Sequence, residues 1–183
     1  MKEILLFLAL IYASSVAQAG TLASTVRVCV THAHCASHGL QPQKLAAYFG
    51  LGKQTVVTKE DMLSWVCFKL QGMYVLSTYS SQAQGRYQPT EIDLSATPQA
   101  ECRQPQPATK NTQGQVSPLP LGVSEATVLQ LLGQPVAIWQ GPNTSHDIEA
   151  GGRGLVYANS GDRFVLIVVN KGVVTRIVEG DGT

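Results

Sequence analysis

Ten residues, Cys29 to His38 (CVTHAHCASH), gather two cysteines and three histidines. Three chemistries suit these residue types. Cys29, His32, His34 and Cys35 offer the sulfur and nitrogen donors of a tetrahedral zinc site. Cys35 close to His38 offers a thiol nucleophile, although a general base has to be placed in space rather than in sequence. The two cysteines can also close a disulfide loop and leave the histidines in solvent. Spacing argues against the metal: on a strand, His32 and His34 share one face and Cys35 points to the other. Thiolate or disulfide is then decided by the compartment.

The first residues, MKEILLFLALIYASSVAQAG, read as a signal peptide over 1–19. Lys2 supplies a positive start, Ile4 to Tyr12 an apolar run, and Ala17-Gln18-Ala19 a small-x-small cleavage site. A mature chain starting at Gly20 is expected, periplasmic or secreted, with no membrane span, since the apolar run is shorter than a spanning helix needs. In an oxidising compartment the four cysteines, Cys29, Cys35, Cys67 and Cys102, are expected to form two disulfides. Pairing Cys29 with Cys35 closes the shortest loop and leaves Cys67 with Cys102. The strand-like TVRVCV would instead carry Cys29 away from Cys35, so three connectivities stay open. Export thus turns CVTHAHCASH toward structural disulfide chemistry, with no metal expected.

The sequence is 44% hydrophobic and 14% charged, with a formal net charge of +1. It can build a core, and it lacks the clustered Lys and Arg that displace counterions from nucleic acid. No G-x-S-x-G elbow, Walker loop, H-E-x-x-H or C-x-x-C pair occurs. The Gly-rich stretch GPNTSHDIEAGGRGLVY leads into a strand, whereas a phosphate cradle needs a helix N-terminus. Neither catalytic residues nor a cofactor are expected.

The elements that must position any binding residue form a repeat. In LPLGVSEATVLQLLGQP, Ser124 reads as a helix N-cap and Glu125 as a first-turn acid. Val128, Leu129, Leu131 and Leu132 follow at helical spacing, and Gly133 with Pro135 ends the helix. VAIW, GLVYA, RFVLIVV and VVTRIVE then read as strands, with Asn170-Lys171-Gly172 as a hairpin turn. The first half repeats this order: Leu45 to Phe49 as a helix stopped by glycines, then MLSWVCF, MYVLSTYSS and YQPTEIDLS as strands. Between them, residues 103–118 hold Pro and Gln and read as an extended linker. The fold class is therefore α+β: an N-terminal module over 20–102 and a C-terminal module over 119–183, each a helix followed by an antiparallel sheet.

Gly122, Val123, Ser124, Val128, Leu131, Leu132, Gly133 and Pro135 match the helix motif of the BamE-like (SmpA/OmlA) module, which this segment resembles. In tandem, such modules are similar to the β-lactamase-inhibitory protein architecture. The resemblance implies a non-enzymatic protein-binding module, an inhibitor or immunity-type protein that blocks a toxin or hydrolase by steric occlusion. It implies, as the alternative, an envelope-assembly factor. Tyr74, Tyr79, Tyr87, Trp139 and Tyr157 fall on or beside the strands and are the expected partner anchors, since Tyr and Trp are favoured at binding hot spots. Period-two alternation puts Met73, Val75, Ser77 and Tyr79 on one face and Tyr74, Leu76 and Thr78 on the other. Apolar residues on both faces call for a partner on the second one.

Overall fold

In the computed structural model the described residues are 29–31, 34–35, 41–51, 56–58, 63–82, 86–102, 105–110, 119–158 and 163–181. The expected signal peptide, residues 111–118 of the expected linker, His32 and His38 lie outside them. Elements follow in the order β1 (Cys29–Thr31), β2 (His34–Cys35), α1 (Pro42–Phe49), β3 (Val56–Thr58), β4 (Leu63–Leu70), β5 (Met73–Gln82), β6 (Arg86–Ser95), β7 (Gln106–Pro107), α2 (Glu125–Leu132), β8 (Ala137–Gln140), β9 (Arg153–Ala158), β10 (Arg163–Asn170) and β11 (Val173–Asp181). The chain is α+β, as expected.

Helix α2 forms where its caps place it. Ser124 Oγ accepts from Thr127 N–H (3.2 Å), Glu125 sits in the first turn, and Gly133 N–H donates to Leu129 O (2.9 Å). Helix α1 lacks a side-chain cap and starts instead on Pro42, whose fixed φ suits the first helical position. It ends on Gly50 in the left-handed region (φ 67°). Two-residue hairpin turns join β4 to β5 at Gln71-Gly72 and β10 to β11 at Lys171-Gly172. All four residues have positive φ, the geometry that matches strand twist.

β3 to β6 and β8 to β11 enter one sheet, in the order β3-β4-β5-β6-β11-β10-β9-β8, with every neighbouring pair antiparallel. The two strand runs meet where β6 pairs with β11, Leu94 opposite Ile177 and Asp93 opposite Val178. β7, from the stretch expected to be a linker, adds parallel to β4 at Phe68–Lys69.

Both helices pack on one face of this sheet. Leu45 and Phe49 of α1 and Val128 of α2 share a core with Phe68, Val75, Ile92, Leu94, Leu155, Val165, Ile167 and Ile177, all buried. Phe49 stacks on Phe68 with ring centroids 4.7 Å apart. Each is fully buried, a setting in which Phe→Ala costs about 3–5 kcal/mol.

The opposite face is covered by the chain itself in two places. After β6, residues 96–102 cross the N-terminal half, and Cys102 is joined to Cys67 of β4 with 5.6 Å between Cα atoms. That pairing is the one expected from the short-loop argument. β1 and β2 set Cys29 and Cys35 as opposite Cα partners, and their side chains lie outside the described residues. Over the C-terminal half lies the β8–β9 connection, residues 141–152, read from the sequence only as a Gly-rich loop. It plants Ile148 (2% exposed) against Leu166, Val168 and Val178. The chain thus covers part of the second apolar face itself, where the sequence called for a partner.

Candidate functional site

The helix-free face is the candidate site, and its register is read directly from the strand pairings. Trp65, Cys67 and Lys69 of β4 lie opposite Thr78, Leu76 and Tyr74 of β5. Leu76 lies opposite Asp93, Asp93 opposite Val178, Val178 opposite Leu166, and Leu166 opposite Val156. Four aromatic side chains on this face stay half-buried: Trp65, Tyr74, Phe164 and Trp139. Lys69 Nζ stands 5.2 Å from the Tyr74 ring centroid, within cation–π range. Trp139 and His146 have ring centroids 4.8 Å apart.

Of the five anchors expected from sequence, two are corrected. Tyr79 and Tyr157 are 2% exposed and belong to the helix-side core. Burial pushes both phenols up to about 12. Tyr157 Oη donates to Gly133 O (3.1 Å), tying β9 to the end of α2, so it is a core residue with its polar tip satisfied. Tyr74 and Trp139 do lie on the helix-free face. Tyr87 is on β6, and its side chain lies outside the described residues.

At the centre of the face sits a charge network that the sequence reading missed. Asp93 is fully buried, and its Oδ2 accepts from Arg176 Nε (2.7 Å) and pairs with Nη2 of the same guanidinium. Arg176 Nη1 reaches Asp147 Oδ2 (2.9 Å) on the covering connection. One guanidinium therefore bridges the sheet and its cover. Burial pushes the Asp93 carboxyl up to about 7, more than the Arg176 hydrogen bond and charge lower it. Its Oδ1 is buried without a hydrogen-bond partner among the described residues. Burial acts against the Arg176 charge, but the hydrogen bond and charge of Asp93, then Asp147 and Glu91, hold its pKa above the ordinary value. For His146 burial comes first, and the nearby Arg176 charge adds to it in lowering the pKa. The available signal was an acid between two apolar residues in Ile92-Asp93-Leu94 and a base in the strand-like run Val174-Thr175-Arg176-Ile177.

The cover is held by more than this bridge. Asn170 Oδ1 accepts from Glu149 N–H (2.9 Å), and Asn170 Nδ2 donates to Asp147 O (2.9 Å) and Thr175 Oγ1 (3.1 Å). Three glycines let it approach. A Cβ on Gly154 would stand 2.9 Å from Ile148 Cδ1, one on Gly141 would strike Glu149 O, and one on Gly152 would strike Asn170 Oδ1. Beside the network opens a pocket of about 480 Å³ lined by Ser95, Thr97, Asp147, Asn170, Thr175 and Arg176 among others. Among the described residues no group of three or more His, Cys, Asp or Glu is placed to hold a metal ion. No described helix is long and apolar enough to cross a membrane.

No family model matches the sequence, and comparison with curated proteins finds no match. Among solved structures, a DUF4309 family protein (YjgB) from Bacillus subtilis is similar at a TM-score of 0.42 and 13% identity, over 80% of this chain and 90% of that one. A similarity of this size carries no argument about function.

Proposed function

We propose that the chain is an exported, non-enzymatic protein-binding module that blocks a toxin or hydrolase by docking its helix-free sheet face. The observation that carries this reading is the set of four half-buried aromatics, Trp65, Tyr74, Phe164 and Trp139, on a face otherwise occupied by the chain's own crossings. Aromatic side chains that keep some surface while fixed in a sheet bind with little further loss of conformational freedom. The two helix-then-meander runs are read as two modules merged at β6 and β11, in keeping with the resemblance to tandem BamE-like modules. The Cys67–Cys102 disulfide suits an oxidising compartment.

Affinity capture of the protein from envelope extracts under non-reducing conditions tests this reading, with Tyr74→Ala and Trp139→Ala as paired variants. A soluble enzyme or toxin recovered at near-equal stoichiometry is expected. Each variant should weaken its capture at least about tenfold, a hot-spot loss, measured at a temperature where both remain folded, since Trp139 also packs on the Ile148 cluster. Recovery of outer-membrane assembly components instead would replace the inhibitor reading with an assembly role. Capture indifferent to both variants would remove the helix-free face from the proposal.

A further inference from the structure

The crossing over residues 141–152 leaves the sheet and rejoins it at one point, where Gly141 N–H donates to Gly152 O (3.0 Å). A surface loop whose ends meet in this way can lift from what it covers without unpairing a strand. Two kinds of contact hold it down. One does not titrate: Ile148 against Leu166, Val168 and Val178, and the hydrogen bonds of the Asn170 amide. The other is ionic, and it is shared. Arg176 Nη1 donates to Asp147 Oδ2 on the crossing (2.9 Å), while Nε of the same guanidinium donates to Asp93 Oδ2 in the sheet (2.7 Å).

One guanidinium thus stands between two carboxylates. With Asp93 neutral, Asp147 is the carboxylate that answers the Arg176 charge. With Asp93 ionised, the sheet supplies that answer itself, and the two carboxylates repel across the guanidinium. Oδ1 of Asp93, buried without a hydrogen-bond partner among the described residues, then carries part of a negative charge that no donor meets. Solvent can supply that donor when the crossing lifts, since the pocket between Thr97 and Asp147 opens beside the network. The other charges nearby do not reverse this balance. Glu91 of β6 adds to the repulsion on Asp93. Glu149 of the crossing is paired with Lys171 of the β10–β11 turn (3.3 Å), both exposed. His146 lies near Arg176 and Asp147, and burial with the Arg176 charge lowers its pKa, so it is neutral where Asp93 titrates. β5 and β10 contribute only the apolar Leu76, Leu166 and Val168 around the network.

We propose that the 141–152 crossing is a proton-operated latch, held to the sheet while Asp93 keeps its proton and lifting when Asp93 loses it. Lifting bares Leu166, Val168 and Val178 beneath Ile148, so the apolar surface of the helix-free face grows as the pH rises. The coupling is reciprocal: a docked Asp147 helps to hold the proton on Asp93, and ionisation of Asp93 weakens the docking of Asp147. With the buried carboxyl raised to about 7, the latch works around neutral pH.

Residue-resolved amide exchange on the purified protein tests this at about pH 6 and about pH 8, each rate being referred to free-chain exchange at the same pH. The reporters are the N–H groups of Asn143, Ile148 and Glu149, whose bonds fix the crossing. Those of Ala108 and Val128, bonded to Lys69 O and Ser124 O, are the controls. From the lower to the higher pH, reporter protection should fall about fivefold more than control protection, the change expected for a coupling of about one pKa unit. Asp93→Asn should keep the reporters protected at both pH values. Asp147→Asn should leave them weakly protected at both, and it is the test if the buried substitution fails to fold. Its side chain is exposed and its φ of 54° is one that asparagine accepts, so this variant keeps the fold. His146→Gln should leave the pH difference in place. Reporters that move only in step with the controls overturn the proposal. So does a difference that survives either aspartate substitution, or one that disappears in His146→Gln.

Discussion

The two crossings of the helix-free face do one job by different chemistry. Over the N-terminal half, residues 96–102 are fixed to β4 by a covalent bond, Cys67–Cys102. Over the C-terminal half, residues 141–152 are fixed by fit: Ile148 above Gly154, the Asn170 hydrogen bonds, and Arg176 shared between Asp93 and Asp147. A disulfide acts largely by restricting the unfolded chain and tolerates imperfect packing around it. A cover held by fit acts only in the folded state and depends on every close approach along it. The first is sensitive to redox conditions, the second to volume and charge.

The comparison can be broken from either side. Replacing both Cys67 and Cys102 by serine should have the largest effect, about 4 kcal/mol for a loop of this length. Urea unfolding measures it, and reductant should lower the parent by more than it lowers the variant, which keeps Cys29 and Cys35. Gly154→Ala comes next. With Ile148 Cδ1 and Leu166 Cδ1 each 2.9 Å from the new methyl, a loss of about 2 kcal/mol is expected. Adding Ile148→Ala should make the pair less costly than the sum of its parts, and strict additivity would show that the methyl does not meet the cover.

Charge sharpens the contrast further. The Asp93 carboxyl reaches about 7 in the folded chain, against an ordinary value near ~4 in an unfolded one. Between these values the folded chain keeps a proton that the unfolded chain has lost. The Asp93 contribution is therefore fully favourable below about pH 4 and is lost as the pH rises through about 7. Melting temperature should fall by roughly a few degrees from pH 5 to pH 8, and Asp93→Asn should flatten that slope. An unchanged slope would assign the dependence to other groups. The smallest effect is at the helices: Ser124→Ala should cost about 1 kcal/mol by denaturant unfolding, and Gln41→Ala nothing measurable, because only α2 has a side-chain cap.

What the sequence made legible was local. Ser124, Gly133 and Pro135 bracket α2, and glycine-containing turns bracket the hairpins, because these residues act on backbone conformation within a few positions. The strand runs in both halves were legible from β-branched and alternating residues. What sequence left hidden is set by partners far along the chain. Alternation sorted Tyr79 from Tyr74 correctly but could not say which face the helices take, so Tyr79 and Tyr157 looked available and are core. Asp93 and Arg176 are 83 residues apart, and only the β6–β11 register brings them together. The crossing over the second face was read as a loop because nothing local marks Gly141, Gly152 and Gly154 as places where other atoms need the room.

The β6–β11 pairing has a consequence for how the molecule comes into being. β11 follows every other strand in the sequence, yet it lies between β10 and β6 at the middle of the sheet. Until it is made, β3 to β6 and β8 to β10 are separate hairpin ribbons, each with an open inner edge. Joining them closes a long stretch of chain before the contacts reward it, the situation that slows folding and leaves edges open to mispairing. Proteolysis in a time course of synthesis or refolding should find protection arriving late and in both halves together. The strand added last is the one that turns two ribbons into a protein.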